Sequence, residues 1–262
     1  MNIRIATISI FLLIPATGMS QLEQNINQTD MAGRKQGRWI KTYPNGNTMY
    51  DGSFRDDNPE GEFKRYYEDN VLKSTLIFSK NGSEAIATLF YSNGLVASIG
   101  KYVNQLKEGK WQFFSSSNEG ILISEEEFSG DRRNGLSVRY YPDSTVAEKA
   151  YYKNDVKHGE WVKYYPDGTL TFKTTCQNGK INGKFEAFFE NGNPEFTGQY
   201  KDDLREGEWI IYGENGSQRF KTIYTAGIPD NQDIDIYQSD YLDSLEKIKV
   251  KIPDPEKTGK IW

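Results

Sequence analysis

Apolar and polar positions along this chain follow a pattern that recurs about every 24 residues. Each copy begins with a small residue, continues through an aromatic-rich stretch such as Glu160–Tyr165, and reaches a turn such as Pro166-Asp167-Gly168. The copies begin at Gly37, Gly61, Ala85, Gly109, Gly135, Gly159, Gly183 and Gly207. One step is 26 residues, because Ser115–Glu119 adds two residues to a turn. A fixed period of this length predicts a repeat array rather than one or two globular domains.

Large rings recur at fixed positions in each repeat, counted from the starting residue as position 0. Position 2 holds Trp39, Phe63, Ala87, Trp111, Ser137, Trp161, Phe185 and Trp209. Position 6 holds Tyr43, Tyr67, Tyr91, Ser115, Tyr141, Tyr165, Phe189 and Gly213. Because side chains alternate along a strand, positions 2 and 6 share one face and the aromatic position 5 faces the other.

Turn residues divide each repeat into two strands. Asn-Gly and Asp-Gly pairs tolerate positive φ and favour hairpins, and a return strand follows each pair to position 17. A polar loop such as Lys201–Glu206 is then expected before the next repeat. The pattern predicts an all-β fold, an elongated, curved, single-layer antiparallel β-meander of about eight hairpin repeats.

The two ends differ from the array at 37–224. Residues 1–20 resemble a signal peptide, with Arg4, an apolar run and small residues before Gln21, which predicts export to the periplasm, the cell envelope or the medium. An uncleaved amphipathic N-terminus is the alternative. Residues 21–36 are a polar leader. The tail at 225–262 is acidic and then lysine-rich, and Lys247–Ile252 alternates like a strand that caps the last repeat or is recognised by a partner.

Composition and reactive residues argue against several functions. The formal net charge is −5, with no overall basic excess to indicate nucleic-acid binding. His158 falls where most other repeats have Glu or Asn, in an expected inter-strand turn, and Cys176 takes a slot filled elsewhere by Phe or Tyr. We therefore expect a histidine with a structural or solvated role, a buried cysteine, no catalytic or metal-binding residues and no cofactor.

The stretch Gly159–Gly168, its entry Lys157-His158-Gly159 and the parallel stretch Gly207–Tyr212 resemble the bacterial variant of the MORN repeat. The resemblance covers about residues 34–224. It implies an elongated, curved antiparallel sheet that serves as a scaffold or protein-interaction surface. Some MORN proteins have been proposed to bind phospholipid, and one bacterial group carries an antitoxin label, which conflicts with an export signal.

Together these features predict an exported, non-enzymatic repeat protein whose sheet binds a protein partner. The alternatives are a binder of lipid head groups or glycan of the cell envelope, an antitoxin-like role, and an enzyme with an unrecognised site. After signal cleavage no transmembrane segment is expected. The aromatic residues expected to act in structure or interaction are Trp39, Tyr43, Tyr67, Trp111, Tyr141, Trp161, Tyr165 and Trp209. Curling of the sheet would bury many of these rings against their neighbours.

Overall fold

A computed structural model describes residues 25–118 and 120–230 of the chain. The predicted signal at 1–20 and the predicted capping strand at 247–252 lie outside these residues. The strands are β1 (Gln28–Thr29), β2 (Lys35–Thr42), β3 (Thr48–Arg55), β4 (Asn58–Tyr66), β5 (Leu72–Ser79), β6 (Glu84–Phe90), β7 (Val96–Val103), β8 (Leu106–Phe114), β9 (Leu122–Ser129), β10 (Arg132–Tyr140), β11 (Val146–Lys153), β12 (Val156–Tyr164), β13 (Leu170–Gln177), β14 (Lys180–Ile181), β15 (Gly183–Phe188), β16 (Pro194–Lys201), β17 (Leu204–Tyr212), β18 (Gln218–Thr225) and β19 (Ile228–Pro229).

Every strand except β14 pairs antiparallel with the next one along the chain, and together they form one open sheet. The short β14 and the longer β15 both pair with β13 and together occupy the place of one long strand. Eight hairpins therefore follow one another in chain order. The predicted all-β meander is confirmed.

The two ends of the hairpins have different turns. At one end, which we call the tyrosine edge, a five-residue loop such as Tyr43–Asn47 closes with Gly46 N–H donating to the Tyr43 carbonyl at 3.0 Å. At the other end, the aspartate edge, two residues suffice: Asp202 and Asp203 have φ of 53° and 69°. Consecutive residues with positive φ form the hairpin turn that matches the twist of the flanking strands.

The tight turns at the aspartate edge correct the prediction of a polar loop over Lys201–Glu206. The strands continue through most of that stretch, because β16 ends at Lys201 and β17 begins at Leu204. His158, predicted in an inter-strand turn, instead lies within β12 with an exposed side chain. The polar composition reflects solvent exposure of the strand ends rather than a loop.

The starting glycine of most repeats forms a β-bulge. Gly61 has φ of 67°, and β3 pairs Gly52 with Phe63 but Ser53 with Glu60, so Gly61 and Glu62 have no separate partners on β3. The third repeat begins with Ala85 instead and pairs with β5 without a bulge. Its turn, 80–83, is two residues longer than the tight turns. The longer turn replaces the two bulge residues, which keeps the 24-residue period.

One face of the sheet holds the core, and we call it the ring face. It carries positions −2, 2, 4, 13, 15 and 17 of each repeat, as their cross-strand pairings show. One buried cluster on it consists of Phe63, Leu76, Ala85, Ala87, Tyr102, Trp111, Phe113 and Phe128. A second consists of Phe172, Phe185, Ala187, Phe196, Trp209 and Tyr224. The opposite side, the outer face, carries positions 1, 3, 14 and 16.

Hydrogen bonds between repeats hold both edges together. At the tyrosine edge, the position 6 hydroxyl donates to the position 5 carbonyl of the next repeat, at 2.8–3.0 Å. These donors are Tyr43, Tyr67, Tyr91, Tyr141 and Tyr165. At the aspartate edge, a turn carboxylate accepts the backbone N–H of position −2 in the preceding repeat. These acceptors are Asp57, Asp131, Asp155 and Asp203.

The predicted leader at 21–36 overlaps the sheet. Residues 28–29 pair with β2, and the Asn27 side chain accepts the Ile40 N–H at 2.8 Å. The first edge of the sheet is thus partly covered. At the far edge, β19 pairs only with Tyr224 and Thr225 of β18.

Candidate functional site: the ring face

Two tryptophans on the ring face lie directly on glycines of the neighbouring strand. Gly100 faces Trp111 and Gly198 faces Trp209, and a Cβ built on either glycine would lie about 2.1–2.2 Å from the indole. Each indole N–H donates at 3.1 Å to the carbonyl that follows the glycine, from Lys101 or Gln199. Both indoles are almost fully buried, which leaves only their neighbours to contact a ligand.

Trp161 adopts a different arrangement because its partner across the strands is Ala150. The alanine methyl group prevents the same close approach, and the indole N–H donates instead to Glu148 at 2.7 Å. This tryptophan remains partly exposed. The glycine-to-alanine difference therefore places one indole at the surface of the ring face.

Lysine and arginine side chains at position −2 lie over the rings. Lys157 Nζ is 3.4 Å from the Trp161 ring centroid, and the Arg133 guanidinium is 4.3 Å from that of Tyr152. The same position supplies Lys35, Lys107 and Arg205, each within 5.3 Å of an indole centroid. Cations over aromatic faces are attracted by the ring quadrupole while their charged ends remain near solvent.

The ring face consequently has a strong excess of positive charge. Its cations are Lys35, Lys41, Arg65, Lys107, Arg133, Arg139, Lys157, Lys163 and Arg205. Its carboxylates, at the same set of positions, are Glu126 and Glu148. A chain with a formal charge of −5 therefore has one face with nine cations and two carboxylates.

The outer face is different, because its charges are paired across neighbouring strands. Arg38 contacts Asp51 at 2.7 Å, and Lys101 contacts Glu84 at 3.0 Å. Lys173 contacts Glu186 of the neighbouring strand at 2.9 Å, and Lys184, on the same strand as Glu186, contacts it at 2.6 Å. Exposed aliphatic side chains lie between these pairs, such as Ile77 opposite Ile86. Lysine and glutamate in alternation limit pairing with other sheets and favour solubility.

Charged side chains separate the two buried ring clusters at repeats five and six. Position 2 of repeat five is Ser137, and the neighbouring ring-face residues Glu126 and Glu148 are largely buried. Glu148 lies opposite Arg139 on one side and Lys163 on the other, and accepts a contact from Lys157 at 3.2 Å. The aromatic core is replaced here by an ionic cluster.

Burial and charge act in opposite directions on this cluster. Burial disfavours the Glu148 carboxylate, but Lys157, Lys163, Arg139 and the Trp161 N–H outweigh it and hold the pKa of Glu148 below its usual range. Burial lowers the pKa of Lys157, although Glu148 opposes that shift. Glu148 thus remains a carboxylate at neutral pH.

The structure places the eight predicted aromatic residues in distinct environments. Trp111 and Trp209 are buried, whereas Trp39 and Trp161 are partly exposed. The position 6 residues are partly buried at the tyrosine edge, and their hydroxyls form the inter-repeat hydrogen bonds; they are Tyr43, Tyr67, Tyr141 and Tyr165. The aromatic residues themselves therefore form the scaffold, and the cations above them form much of its surface.

The sequence did not lead us to predict this basic face, because only the net charge of the whole chain was considered. The signal was present: position −2 is basic in five repeats and position 4 in four. Sorting charges by repeat position, rather than summing them, would have found the basic face.

The reactive residues do not converge. Cys176 is buried as predicted, and burial raises the pKa of its thiol. His158 is exposed and lies on β12, before the bulge. Among the described residues no group of three or more His, Cys, Asp and Glu side chains is placed to hold a metal ion.

A cavity of about 210 Å³ at the aspartate edge is lined by residues including Arg55, Pro59 and Lys80, next to the enlarged turn of repeat three.

A search for membrane-spanning helices within residues 25–118 and 120–230 finds none. A comparison with curated proteins finds no match. The family model described as the MORN repeat variant matches residues 59–81, 133–154, 157–180 and 181–202. Each matched segment begins at position −2, the position that carries the ring-capping cations in five repeats. The chain therefore carries four repeats of the MORN variant family.

Proposed function

We propose that this chain is an exported, non-enzymatic repeat protein that binds a protein partner through its ring face. The observation that supports this most strongly is the excess of nine cations over two carboxylates on that face. Seven of these cations lie within 5.7 Å of an aromatic ring centroid, which restricts their motion before a ligand binds. Fixed charges lose less conformational entropy on binding than freely moving ones.

The chemistry of the ring face suits protein recognition. Arginine, tryptophan and tyrosine are the residue types that most often dominate binding energy at protein interfaces. Arg133 over Tyr152 and Lys157 over Trp161 provide such pairs next to each other at the centre of the array. Sheet-borne groups of this kind favour an extended partner with carboxylate side chains.

An envelope lipid or glycan is the second candidate. The same cations would attract phosphate groups of lipid heads, and the partly exposed Trp161 ring offers a surface for a sugar. An antitoxin-like role would also use protein binding, but it requires the protein to reach a toxin despite the predicted export signal. We favour a protein partner because a single ligand of that class would contact both the charges and the aromatic rings.

A capture experiment separates these candidates. The full chain would be immobilised and exposed to a cell-envelope fraction, in parallel with glycan arrays and with vesicles of neutral or anionic lipid. We expect a discrete protein to be retained and to elute as salt is raised. Saturable binding of lipid or glycan without any retained protein would contradict the proposal. Matched variants are Arg139→Glu with Lys163→Glu on the ring face and Lys64→Glu with Lys110→Glu on the outer face.

A further inference from the structure

We propose that the acidic segment 231–246 of the same chain docks on the ring face along the cations of repeats five and six. The inference rests on the ring face being the binding surface described above. It assigns a regulatory occupant to that surface: the segment would compete with the partner for the same cations. The segment itself lies beyond the described residues.

Charge complementarity is the first support. From residue 230 to residue 246 the chain has six carboxylates and no lysine or arginine. They are Asp230, Asp233, Asp235, Asp240, Asp243 and Glu246. At repeats five and six the ring face presents Arg133, Arg139, Lys157 and Lys163 against Glu126 and Glu148. Opposite charge brought together at partly buried sites is screened less by salt than at a fully exposed surface.

The position of Asp230 is the second support. Its N–H donates to the Ile223 carbonyl at 3.0 Å, and its carboxylate accepts the Ile223 N–H at 3.2 Å. The same carboxylate also accepts the hydroxyl of Thr222, a buried ring-face residue opposite Trp209. Asp230, the residue immediately before the segment, therefore contacts the ring face at the far edge of the sheet.

The distance is within reach. Because β14 and β15 share one strand position, the charged strands β10 and β12 are seven and five strands away from β18, which corresponds to roughly 34 and 24 Å at about 4.8 Å per strand. Thirteen residues from Asp230 to Asp243 span up to about 43 Å when extended. The segment is thus long enough to place Asp240 and Asp243 near Arg139 and Lys163.

Carbodiimide cross-linking of the full chain, read by mass spectrometry, tests this placement because it joins carboxylates to lysines in direct contact. We expect residues 233–246 to cross-link to the ring-face lysines Lys157 and Lys163 at least fivefold more than to the outer-face lysines Lys149 and Lys173, which lie on β11 and β13 within the same reach. The yield within one chain should not depend on protein concentration. Equal yields on the two faces, or cross-links that join two chains, would overturn the inference.

A second experiment uses the full chain with Asp233→Asn, Asp235→Asn, Asp240→Asn and Asp243→Asn. A labelled synthetic peptide of residues 231–246 should bind this variant at least tenfold more tightly than it binds the unmodified chain, because the competing segment is neutralised. Adding Arg139→Glu and Lys163→Glu should abolish that gain, whereas Lys64→Glu and Lys110→Glu should not. Equal affinity of the peptide for the variant and the unmodified chain would contradict the inference.

These outcomes separate the two proposals. If the neutralised variant and the unmodified chain retain an envelope protein equally well, the regulatory inference fails and the proposed function stands. If the cross-links form but neither chain retains a protein, the segment docks as proposed and the proposed function fails.

Discussion

At the scale of single residues, close contact between glycine and tryptophan explains two of the most buried side chains. Trp111 and Trp209 occupy space that a Cβ on Gly100 or Gly198 would fill. Glycine in a strand normally weakens the strand, but here a ring covers it and recovers the buried area. Trp161 shows the consequence of an alanine at the equivalent position, because its indole turns to Glu148 instead.

We expect Gly100→Ala to lower the free energy of unfolding by about 2–4 kcal/mol, since the added methyl group must displace a buried indole. Chemical denaturation with tryptophan fluorescence measures the change. Ala150→Gly is the matched control, with an expected cost of at most about 1 kcal/mol. Equal costs for the two substitutions would show that the contact with Trp111 has no special role.

Cys176 should be inert in the folded chain. It is buried, and burial raises the pKa of its thiol, so little thiolate is available to react at neutral pH. A thiol reagent such as dithionitrobenzoate should react with Cys176 at least a hundredfold more slowly in buffer than in denaturant. Comparable rates in both conditions would contradict the structural role assigned to this residue.

At the scale of elements, each hairpin is joined to the next at both of its ends. Tyrosine hydroxyls form the hydrogen bonds between repeats at one edge, and aspartate carboxylates form them at the other. The repeated Tyr and Asp residues are thus explained by contacts between hairpins rather than within them. This also accounts for the acidic turns, in which no metal-binding group of residues was found among the described positions.

Tyr67→Phe should cost about 0.5–1.5 kcal/mol, because it removes one hydrogen bond to the Phe90 carbonyl and leaves the ring in place. Tyr141→Phe should behave alike through the Tyr164 carbonyl. Tyr151 lies exposed on the outer face, so Tyr151→Phe is the control and should change stability by less than about 0.5 kcal/mol. Thermal or urea unfolding of the three variants measures these changes. An equal change in stability for all three would contradict a stabilising role for the tyrosine hydrogen bonds between repeats.

Sequence periodicity predicted the hairpins, their order and their aromatic positions, because these follow from alternation and from turn residues. It did not predict the exact turns. Asp202-Asp203 could be read as part of a longer loop, since exposed strand ends and loops have the same polar composition. It also did not predict the basic ring face, because the charges were summed over the chain rather than sorted by repeat position. The register of the strands then shows which cations are neighbours, such as Lys157 and Lys163 beside Arg133 and Arg139.

At the scale of the whole molecule, the array is least continuous at repeats four and five. Position 6 of repeat four is Ser115, so the tyrosine hydrogen bond to the next repeat is missing there. Position 2 of repeat five is Ser137 in place of an aromatic ring. The aromatic clusters end at Phe128 on one side and resume at Phe172 on the other. Fewer buried apolar contacts make a region easier to open locally.

We therefore expect amides of the β9–β10 pair to exchange with solvent at least tenfold faster than those of the β7–β8 pair. Repeat three is the internal comparison, because it also lacks an aromatic residue at position 2. Its Ala85 and Ala87 are nevertheless buried in one cluster with Leu76 of repeat two, and the inter-repeat hydrogen bonds of Tyr67 and Tyr91 are kept. Hydrogen–deuterium exchange by mass spectrometry resolves these segments. Exchange in β9–β10 that is equal to or slower than exchange in β7–β8 would contradict lower local stability at repeats four and five.

The ionic cluster at the centre also predicts how stability changes with pH. The folded pKa of Glu148 is lowered, so its contribution is complete above the unfolded pKa of about 4.3 and is lost as pH falls through the folded pKa. Glu148→Gln should cost about 1–3 kcal/mol at pH 7, and the difference from the unmodified chain should shrink in acid. Glu208→Gln, which breaks a half-exposed ion pair, should cost less than about 1 kcal/mol.

Separation of charge between the two faces is the property on which the proposed function depends. The decisive measurement is the affinity for the retained partner of two full-length variants with equal charge change: Arg139→Glu with Lys163→Glu, and Lys64→Glu with Lys110→Glu. The ring-face variant should bind at least tenfold more weakly, while the outer-face variant should bind within twofold of the unmodified chain. Equal losses from both faces, or a loss confined to the outer face, would contradict binding through the ring face.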